Sequence, residues 1–251
     1  MIRACLARLQ QKHRTISYPK TAPALPEQYC GRPAINPGLC SAECRECLEV
    51  CPTGAVSKEG NALTIDLGRC LFCRQCEQVC PTKAIRFSRE YRLAAGSKSD
   101  LLVSGDEMKL AQALDKKTKE LFGRSLKLRQ VSAGGCNACE ADTNVLNTVV
   151  FDLGRFGIQF AASPRHADGL LVTGPVTENM RLALQKTYEA VADPRIVIAA
   201  GACAVSGGPF IGLSPVHHGV DSVIPVDLYI PGCPPHPVTI LDGLLRLLGS
   251  I

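Results

Sequence analysis

The stretch CLFCRQCEQVCP, residues 70–81, spaces four cysteines as C-x2-C-x2-C-x3-C and ends in proline. Runs of this spacing hold 4Fe-4S clusters, because a tight loop can turn three thiolates toward one face of a cubane while a fourth ligand comes from elsewhere. The stretch therefore predicts a cluster-binding loop in a small fold that the cluster itself holds together.

A second run, CSAECRECLEVCP at residues 40–52, repeats the pattern with one extra residue between its first two cysteines. Its other three cysteines recur 29 residues later, which predicts two matching halves around one small core. Where two such clusters share a domain, the fourth cysteine of each run serves the other cluster. We therefore expect one cluster on Cys40, Cys44, Cys47 and Cys80, and a second on Cys51, Cys70, Cys73 and Cys76.

Zinc and disulfides are the alternatives for these two cysteine runs. Zinc sites usually pair two C-x2-C knuckles across a gap or include histidine, and no histidine is near either run. A disulfide framework would require export, whereas the N-terminus lacks the uninterrupted apolar region and cleavage site of a signal peptide. Iron-sulfur clusters are the better interpretation, and a zinc-stabilised assembly scaffold is the alternative outside redox chemistry.

Four further cysteines are dispersed along the C-terminal half of the chain. Around them β-rich runs alternate with helical patterns, which predicts a parallel sheet with crossover helices. We expect strands at residues 126–131, 158–162, 169–173, 195–200 and 224–230, and helices at 141–155, 177–191 and 237–248. Each cysteine group follows a strand, in the crevice where open α/β sheets bind ligands. We predict that Cys136, Cys139, Cys203 and Cys233 hold a third 4Fe-4S cluster; four buried thiols in glycine turns are the alternative.

Four motifs in this half together resemble a known family. They are CNACE at residues 136–140, SPRHAD at 163–168, GAC at 201–203 and PGCPP at 231–235. They resemble the small subunit of membrane-bound nickel-iron hydrogenases, including formate hydrogenlyase, and the homologous iron-sulfur subunit of respiratory complex I. The N-terminal part, with GRP at 31–33 before the first cysteine run, resembles the two-cluster ferredoxin-like subunit of the same complexes. The chain looks like a fusion of these two subunits.

The resemblance implies a flavodoxin-like parallel sheet with crossover helices, preceded by a small α+β ferredoxin-like domain. It also implies an oxidoreductase subunit that is not itself catalytic and that carries electrons through three 4Fe-4S clusters to a large subunit reducing protons to hydrogen. The spacing of Cys136 and Cys139 favours the hydrogenases, because quinone-reducing relatives generally carry two adjacent cysteines there. The alternative is the equivalent subunit of a complex I-like quinone or sulfur reductase that lacks nickel.

The resemblance further implies partners and a location. Glu140 would lie near the active site of the large subunit, where it could relay protons; the alternative is a surface or helix-start carboxylate. Other expected partners are membrane antiporter-like and anchor subunits and an electron-donating iron-sulfur or dehydrogenase subunit. The chain would be peripheral at the cytoplasmic face of the cell membrane. A transmembrane helix is not expected, because no apolar run of about eighteen residues appears. A net charge of +5 is too small and too scattered to predict nucleic-acid binding.

We divide the chain into a basic amphipathic segment at residues 1–20, a ferredoxin-like domain at 21–92, a connector at 93–125 and a hydrogenase small-subunit-like domain at 126–251. The first segment could lie on an anionic membrane or pack on a neighbouring subunit. Within the connector, residues 107–122 predict a charged helix with an apolar packing stripe. Four residues receive no site: the thiols of Cys5 and Cys30, and His217 and His218, which we expect in a polar loop.

Overall fold

The computed structural model describes residues 2–60, 62–114 and 125–251. Its N-terminal part contains short elements, in chain order α1 (Ile2–Gln11), β1 (Pro33–Ile35), α2 (Glu46–Glu49), β2 (Val56–Glu59), β3 (Ala62–Asp66), α3 (Gln75–Val79), β4 (Ile85–Phe87) and β5 (Leu102–Val103). Strands β1 and β4 pair antiparallel, and β2, β3 and β5 form a second antiparallel sheet. The repeated halves correspond to α2 and α3, which lie within the two cysteine runs and contact each other.

The C-terminal part alternates strands with helices. Its elements are β6 (Leu126–Ser132), α4 (Ala138–Val145), β7 (Ile158–Phe160), β8 (Gly169–Thr173), α5 (Glu178–Glu189), β9 (Ile196–Ala200), α6 (Ala202–Ser206), β10 (Leu228–Ile230) and α7 (Pro237–Leu247). All four strand pairs are parallel, in the order β10-β9-β8-β6-β7. If the five strands are numbered 1 to 5 along the chain and the sheet is read from the β7 edge, the order is 2-1-3-4-5. This is the flavodoxin-like arrangement, so the predicted fold class is confirmed.

The central strands β8 and β9 are buried on both faces, as a parallel sheet covered on both sides requires. Leu171 and Ile198 point to one face, where they share a core with α7. Leu170 and Val197 point to the other face and share a core with residues of the ferredoxin-like part, including Ile65. The two parts of the chain therefore bury apolar surface in a common core.

The connector also joins the two parts. Ala95 exchanges backbone hydrogen bonds with Tyr229 of β10 at 3.0 and 2.9 Å, and β5 completes the sheet of the ferredoxin-like part. Of the helix predicted at residues 107–122, positions 107–114 have no regular secondary structure and the rest lie outside the described residues. The helical prediction is therefore wrong for residues 107–114. The boundaries of the four segments stay predictions.

The predicted helix at 141–155 also differs, because α4 spans only Ala138–Val145. From Leu146 to Thr148 the backbone amides bond to carbonyls three residues back instead of four, which ends the α-helical pattern. Asp152, with φ of 49°, then interrupts the right-handed backbone before a short 3-10 turn at Leu153–Phe156. The early start of α4 places Glu140 in its first turn. Among the described residues, no helix is long and apolar enough to cross a membrane.

Candidate iron-sulfur sites

The structure brings together the four thiols that the sequence assigns to the first cluster. Burial raises the pKa of the Cys47 thiol, and the neighbouring thiols of Cys40, Cys44 and Cys80 raise it further. Cys80 belongs to the second run, so its proximity to the first three requires the two runs to cross. This proximity is compatible with the crossed assignment, which stays a prediction.

The second group of thiols lines one hollow. Its lining includes all four predicted ligands, Cys51, Cys70, Cys73 and Cys76. Burial raises the pKa of Cys76 to about 12, with further contributions from Cys51 and Cys73. Such a thiol gives up its proton when a metal supplies compensating positive charge, so this set of donors fits a cluster.

Backbone amides point at the sulfurs of Cys51 and Cys80, the fourth cysteines of the two runs, each of which is assigned to the cluster of the other run. The amide of Ala55 donates to the Cys51 sulfur at 3.2 Å, and that of Ala84 donates to the Cys80 sulfur at 3.2 Å. The amide of Phe72 donates to the Cys70 sulfur at 3.3 Å. Hydrogen bonds to the sulfurs stabilise thiolates and contribute to the potential of a bound cluster.

Two threonines, which the sequence analysis did not single out, add to these contacts. The hydroxyl of Thr53 lies 3.9 Å from the Cys51 sulfur and that of Thr82 lies 3.7 Å from the Cys80 sulfur. Burial acts to raise the pKa of Cys80, but the hydrogen bonds from Thr82 and Ala84 outweigh it and lower the pKa. The available sequence signal was the repeated Cys-Pro-Thr at residues 51–53 and 80–82.

The third group lies beyond the carboxyl ends of the parallel strands. Cys136 and Cys139 follow β6, Cys203 follows β9 and Cys233 follows β10. Burial raises the pKa of Cys139, and the thiols of Cys203, Cys233 and Cys136 raise it further. The sheet order reverses between β6 and β8, which is where open α/β sheets form a ligand crevice. The geometry therefore assembles the predicted third set.

Glycines make room for the sulfurs of this third set. Gly201 has φ of +94°, and a Cβ at this position would lie 2.5 Å from the Cys139 sulfur. A Cβ on Gly208, where φ is +55°, would lie 3.0 Å from the Cys203 sulfur. Both positions therefore combine a left-handed backbone with a close approach that a side chain would block.

Glu140 is buried, with only 6% of its surface exposed, and follows Cys139 in the first turn of α4. Its Oε1 atom accepts hydrogen bonds from Ser132 at 2.5 Å and from Thr173 at 2.7 Å. Burial acts to raise the pKa of Glu140, but these two hydrogen bonds outweigh it and leave the pKa below its usual value. Glu140 is thus a buried carboxylate in the first turn of α4, and its role in proton transfer stays a prediction.

The second and third groups of thiols lie on loops that face each other. One cavity is lined by Leu71 and Phe72, between the ligand candidates Cys70 and Cys73, and by residues 231–236 around Cys233. Ser206 of α6 donates a hydrogen bond to the carbonyl of Gly68 at 2.8 Å. The second group is therefore placed beside the third.

The residues left without a site are distributed over the molecule. Cys5 is exposed on α1, whereas burial raises the pKa of Cys30, which lines the same cavity as Phe72, to about 12. His217 contacts the carboxylate of Glu178 at 2.7 Å. Over the described ranges, no three thiol, imidazole or carboxylate groups gather closely enough to hold one metal ion. The cubane interpretation places each thiolate on a different iron atom.

Comparison with known proteins gives two family matches. Residues 136–247 match the family described as NADH ubiquinone oxidoreductase, 20 Kd subunit, and residues 39–84 match the family described as 4Fe-4S dicluster domain. The two matches cover the two parts of the chain that the cysteine groups occupy. Their order along the chain agrees with the predicted fusion.

Individual relatives cover the C-terminal half. The chain is 46% identical over 128 residues to formate hydrogenlyase subunit 7 of Escherichia coli, a match that covers 51% of this chain and 50% of that protein. It is 42% identical over 141 residues to the probable membrane-bound hydrogenase subunit mbhJ of Pyrococcus furiosus, covering 55% of this chain and 84% of the relative. A solved chain of an archaeal membrane-bound sulfane sulfur reductase aligns with 33% identity and a TM-score of 0.47, over 55% of this chain and 76% of its own length.

Proposed function

Because the chain belongs to the family of the 20 kDa subunit of NADH-ubiquinone oxidoreductase and carries a 4Fe-4S dicluster domain, we propose that it conducts electrons through three 4Fe-4S clusters to a hydrogen-producing large subunit. The members of this family compared above are subunits of oxidoreductase complexes. The observation that carries the proposal is the convergence of twelve cysteines into three groups of four. Each group supplies the four thiolates that one cubane needs.

The clusters would supply one-electron carriers, and the side chains of this protein would place them in a row. The first group would take Cys40, Cys44, Cys47 and Cys80, and the second Cys51, Cys70, Cys73 and Cys76. The hydrogen bond between Ser206 and Gly68 ties the second loop to the helix that carries Cys203. This arrangement supports an electron path from the first group to the second and from the second to the third. The third group, with Cys136, Cys139, Cys203 and Cys233, would lie at the end of the path next to the large subunit.

Glu140 is the residue we assign to proton transfer. Its carboxylate lies beside Cys139, at the crevice between β6 and β8 where the large subunit would dock. Ser132 and Thr173 hold one oxygen, so the carboxylate has a fixed position from which to exchange a proton with a partner group. The burial of Glu140 supports a role inside an interface rather than on open surface.

The hydrogenase interpretation rests on the pair Cys136 and Cys139. Two of the relatives compared are named as a formate hydrogenlyase subunit and a probable membrane-bound hydrogenase subunit. We therefore propose a large subunit with a nickel-iron centre, together with membrane antiporter-like and anchor subunits and an electron-donating subunit, at the cytoplasmic face of the membrane. The family match to NADH ubiquinone oxidoreductase favours the second candidate, a nickel-free quinone or sulfur reductase.

The test is to purify the native complex anaerobically and measure nickel, iron, sulfide and hydrogen evolution. We expect nickel in the complex and about twelve iron atoms in this chain, four for each group of thiols. Replacing Cys203 with serine should abolish hydrogen evolution while the N-terminal clusters are still reduced. Hydrogen evolution that persists in Cys203→Ser would contradict the electron path, and a complex with iron but no nickel would favour the second candidate.

A further inference from the structure

Helix α1 presents an apolar stripe that no described part of the chain covers. None of its residues is buried, and the exposed fractions are 78% for Ile2, 52% for Leu6 and 74% for Leu9. At about 100° per residue, these three residues and Cys5 fall within an arc of about 100° on one side of the helix. An apolar stripe of this kind needs a surface to rest on.

The charges around the stripe indicate which surface this is. Residues 1–26 contain five lysines and arginines and no aspartate or glutamate. On the helix itself, Arg3 and Arg8 lie on opposite flanks of the stripe, about 110° from its centre. Long basic side chains at the edges of an apolar stripe can extend to phosphate groups while the stripe enters the acyl boundary.

Several hydrogen bonds fix where α1 leaves the folded body. Thr15 donates to the carbonyl of Val149 at 2.7 Å, and the amide of Ile16 donates to the carbonyl of Val150 at 2.9 Å. The hydroxyl of Tyr18 donates to the buried Asp242 at 2.6 Å. The helix is therefore tied to the body only a few residues beyond its end.

The point of attachment is itself apolar. Val149 and Val150 are exposed, with 70% and 39% of their surface accessible, and Val145 of α4 is 36% exposed. Thr15 and Ile16 bond to the carbonyls of Val149 and Val150, so this exposed apolar surface adjoins the basic segment. The valines extend the apolar surface from the helix onto the body.

We propose that α1 and the 145–150 valines form a lipid-facing surface that binds an anionic phospholipid bilayer directly. Electrostatic attraction brings the basic segment to the bilayer, and the apolar stripe then enters the interface. This surface adds a direct lipid contact to the membrane association proposed above and requires no iron-sulfur chemistry.

The test is flotation of the full-length, cluster-containing chain with vesicles of phosphatidylcholine, with or without phosphatidylglycerol. We expect binding only to the anionic vesicles and weaker binding as salt rises. Removing both arginines with Arg3→Gln/Arg8→Gln should weaken binding about thirtyfold, at about fivefold per basic residue. Leu6→Gln/Leu9→Gln should reduce binding to the level seen with phosphatidylcholine alone.

Matched changes on another exposed helix serve as controls. Leu182 of α5 is 63% exposed, and Leu182→Gln removes a comparable apolar side chain. Arg181→Gln/Lys186→Gln removes two charges from the same helix. Neither control should alter binding. Iron content should stay the same in all variants, because none of the changed side chains is buried, so loss of binding is distinguishable from loss of clusters.

Two results would overturn the proposal. One is equal binding of the unaltered chain and the α1 variants to anionic vesicles. The other comes from a photoreactive side chain at position 6 in the assembled complex: a cross-link to a polypeptide instead of to lipid would show that α1 packs on a neighbouring subunit.

Discussion

Replacing Gly201 with alanine puts a methyl group 2.5 Å from the sulfur of Cys139. Gly201 also has φ of +94° and ψ of 152°, a backbone region that is almost exclusive to glycine and costs another residue about 1–3 kcal/mol. Gly212 provides a matched control, since its φ is +84° and nothing lies within 4 Å of a Cβ built there. Both variants therefore place alanine at a positive φ, and only Gly201→Ala adds a contact with a proposed ligand.

The magnitude of the effect depends on whether the sulfur can move. In the cluster-free chain the Cys139 side chain can rotate away from the new methyl group, so backbone strain of about 1–3 kcal/mol is the main cost of either substitution. A sulfur bound to iron cannot rotate. A 2.5 Å contact is far inside the usual 3.5–4.0 Å separation, so Gly201→Ala should lose the third cluster.

Iron and sulfide analysis under anaerobic conditions checks this directly. We expect about eight iron atoms per chain in Gly201→Ala and about twelve in Gly212→Ala, with the spectra of the two N-terminal clusters unchanged. Thermal unfolding of the cluster-free chains should give a lower melting temperature for both variants than for the unaltered chain. Full iron content in Gly201→Ala would refute the reasoning, because it would show that the Cys139 sulfur does not occupy a fixed position at a cluster.

Much of the fold could be predicted from the sequence because its signals are local. The strand at residues 169–173 corresponds to β8, since an unbroken apolar run between polar turns suits a strand buried on both faces. The early end of α4 could not be predicted, because it depends on the amides of residues 146–148 bonding to carbonyls three residues back instead of four, a change that the residue types do not signal. Residues 107–114 show the same limit, since their apolar spacing suits a helix but Leu114 is held by a hydrogen bond to Leu247.

The candidate ligands were predictable from cysteine spacing, whereas their surroundings were not. Spacing says which thiols can share a loop, but the contact between Thr82 and the Cys80 sulfur depends on how the loop folds back after Pro81. The two hydroxyl groups that donate hydrogen bonds to Glu140 come from strands β6 and β8, which are adjacent only because the sheet order reverses there. Such contacts between distant residues leave no periodic trace in the sequence.

Three further predictions concern single side chains at the proposed sites. Cys76→Ser should damage the cluster that also uses Cys51 and spare the one that uses Cys80; spectroscopy that places Cys51 and Cys76 on different clusters would contradict the crossed assignment. Thr82→Val should lower the reduction potential of the first cluster by about 40 mV in a redox titration, because the loss of one hydrogen bond of about 1 kcal/mol destabilises the more negative reduced state; an unchanged potential would exclude this contact. Glu140→Gln should slow hydrogen evolution without loss of iron, because it removes the ionisable group and keeps its size. Since the pKa of Glu140 is lowered in the folded chain, its ionised form stabilises the fold above the ordinary glutamate pKa, and this contribution disappears as pH falls through the folded-state pKa. The difference in unfolding free energy between the unaltered chain and Glu140→Gln should therefore be largest near neutral pH and shrink in acid. A difference that stays constant with pH, together with unchanged turnover, would show that Glu140 only packs between Ser132 and Thr173.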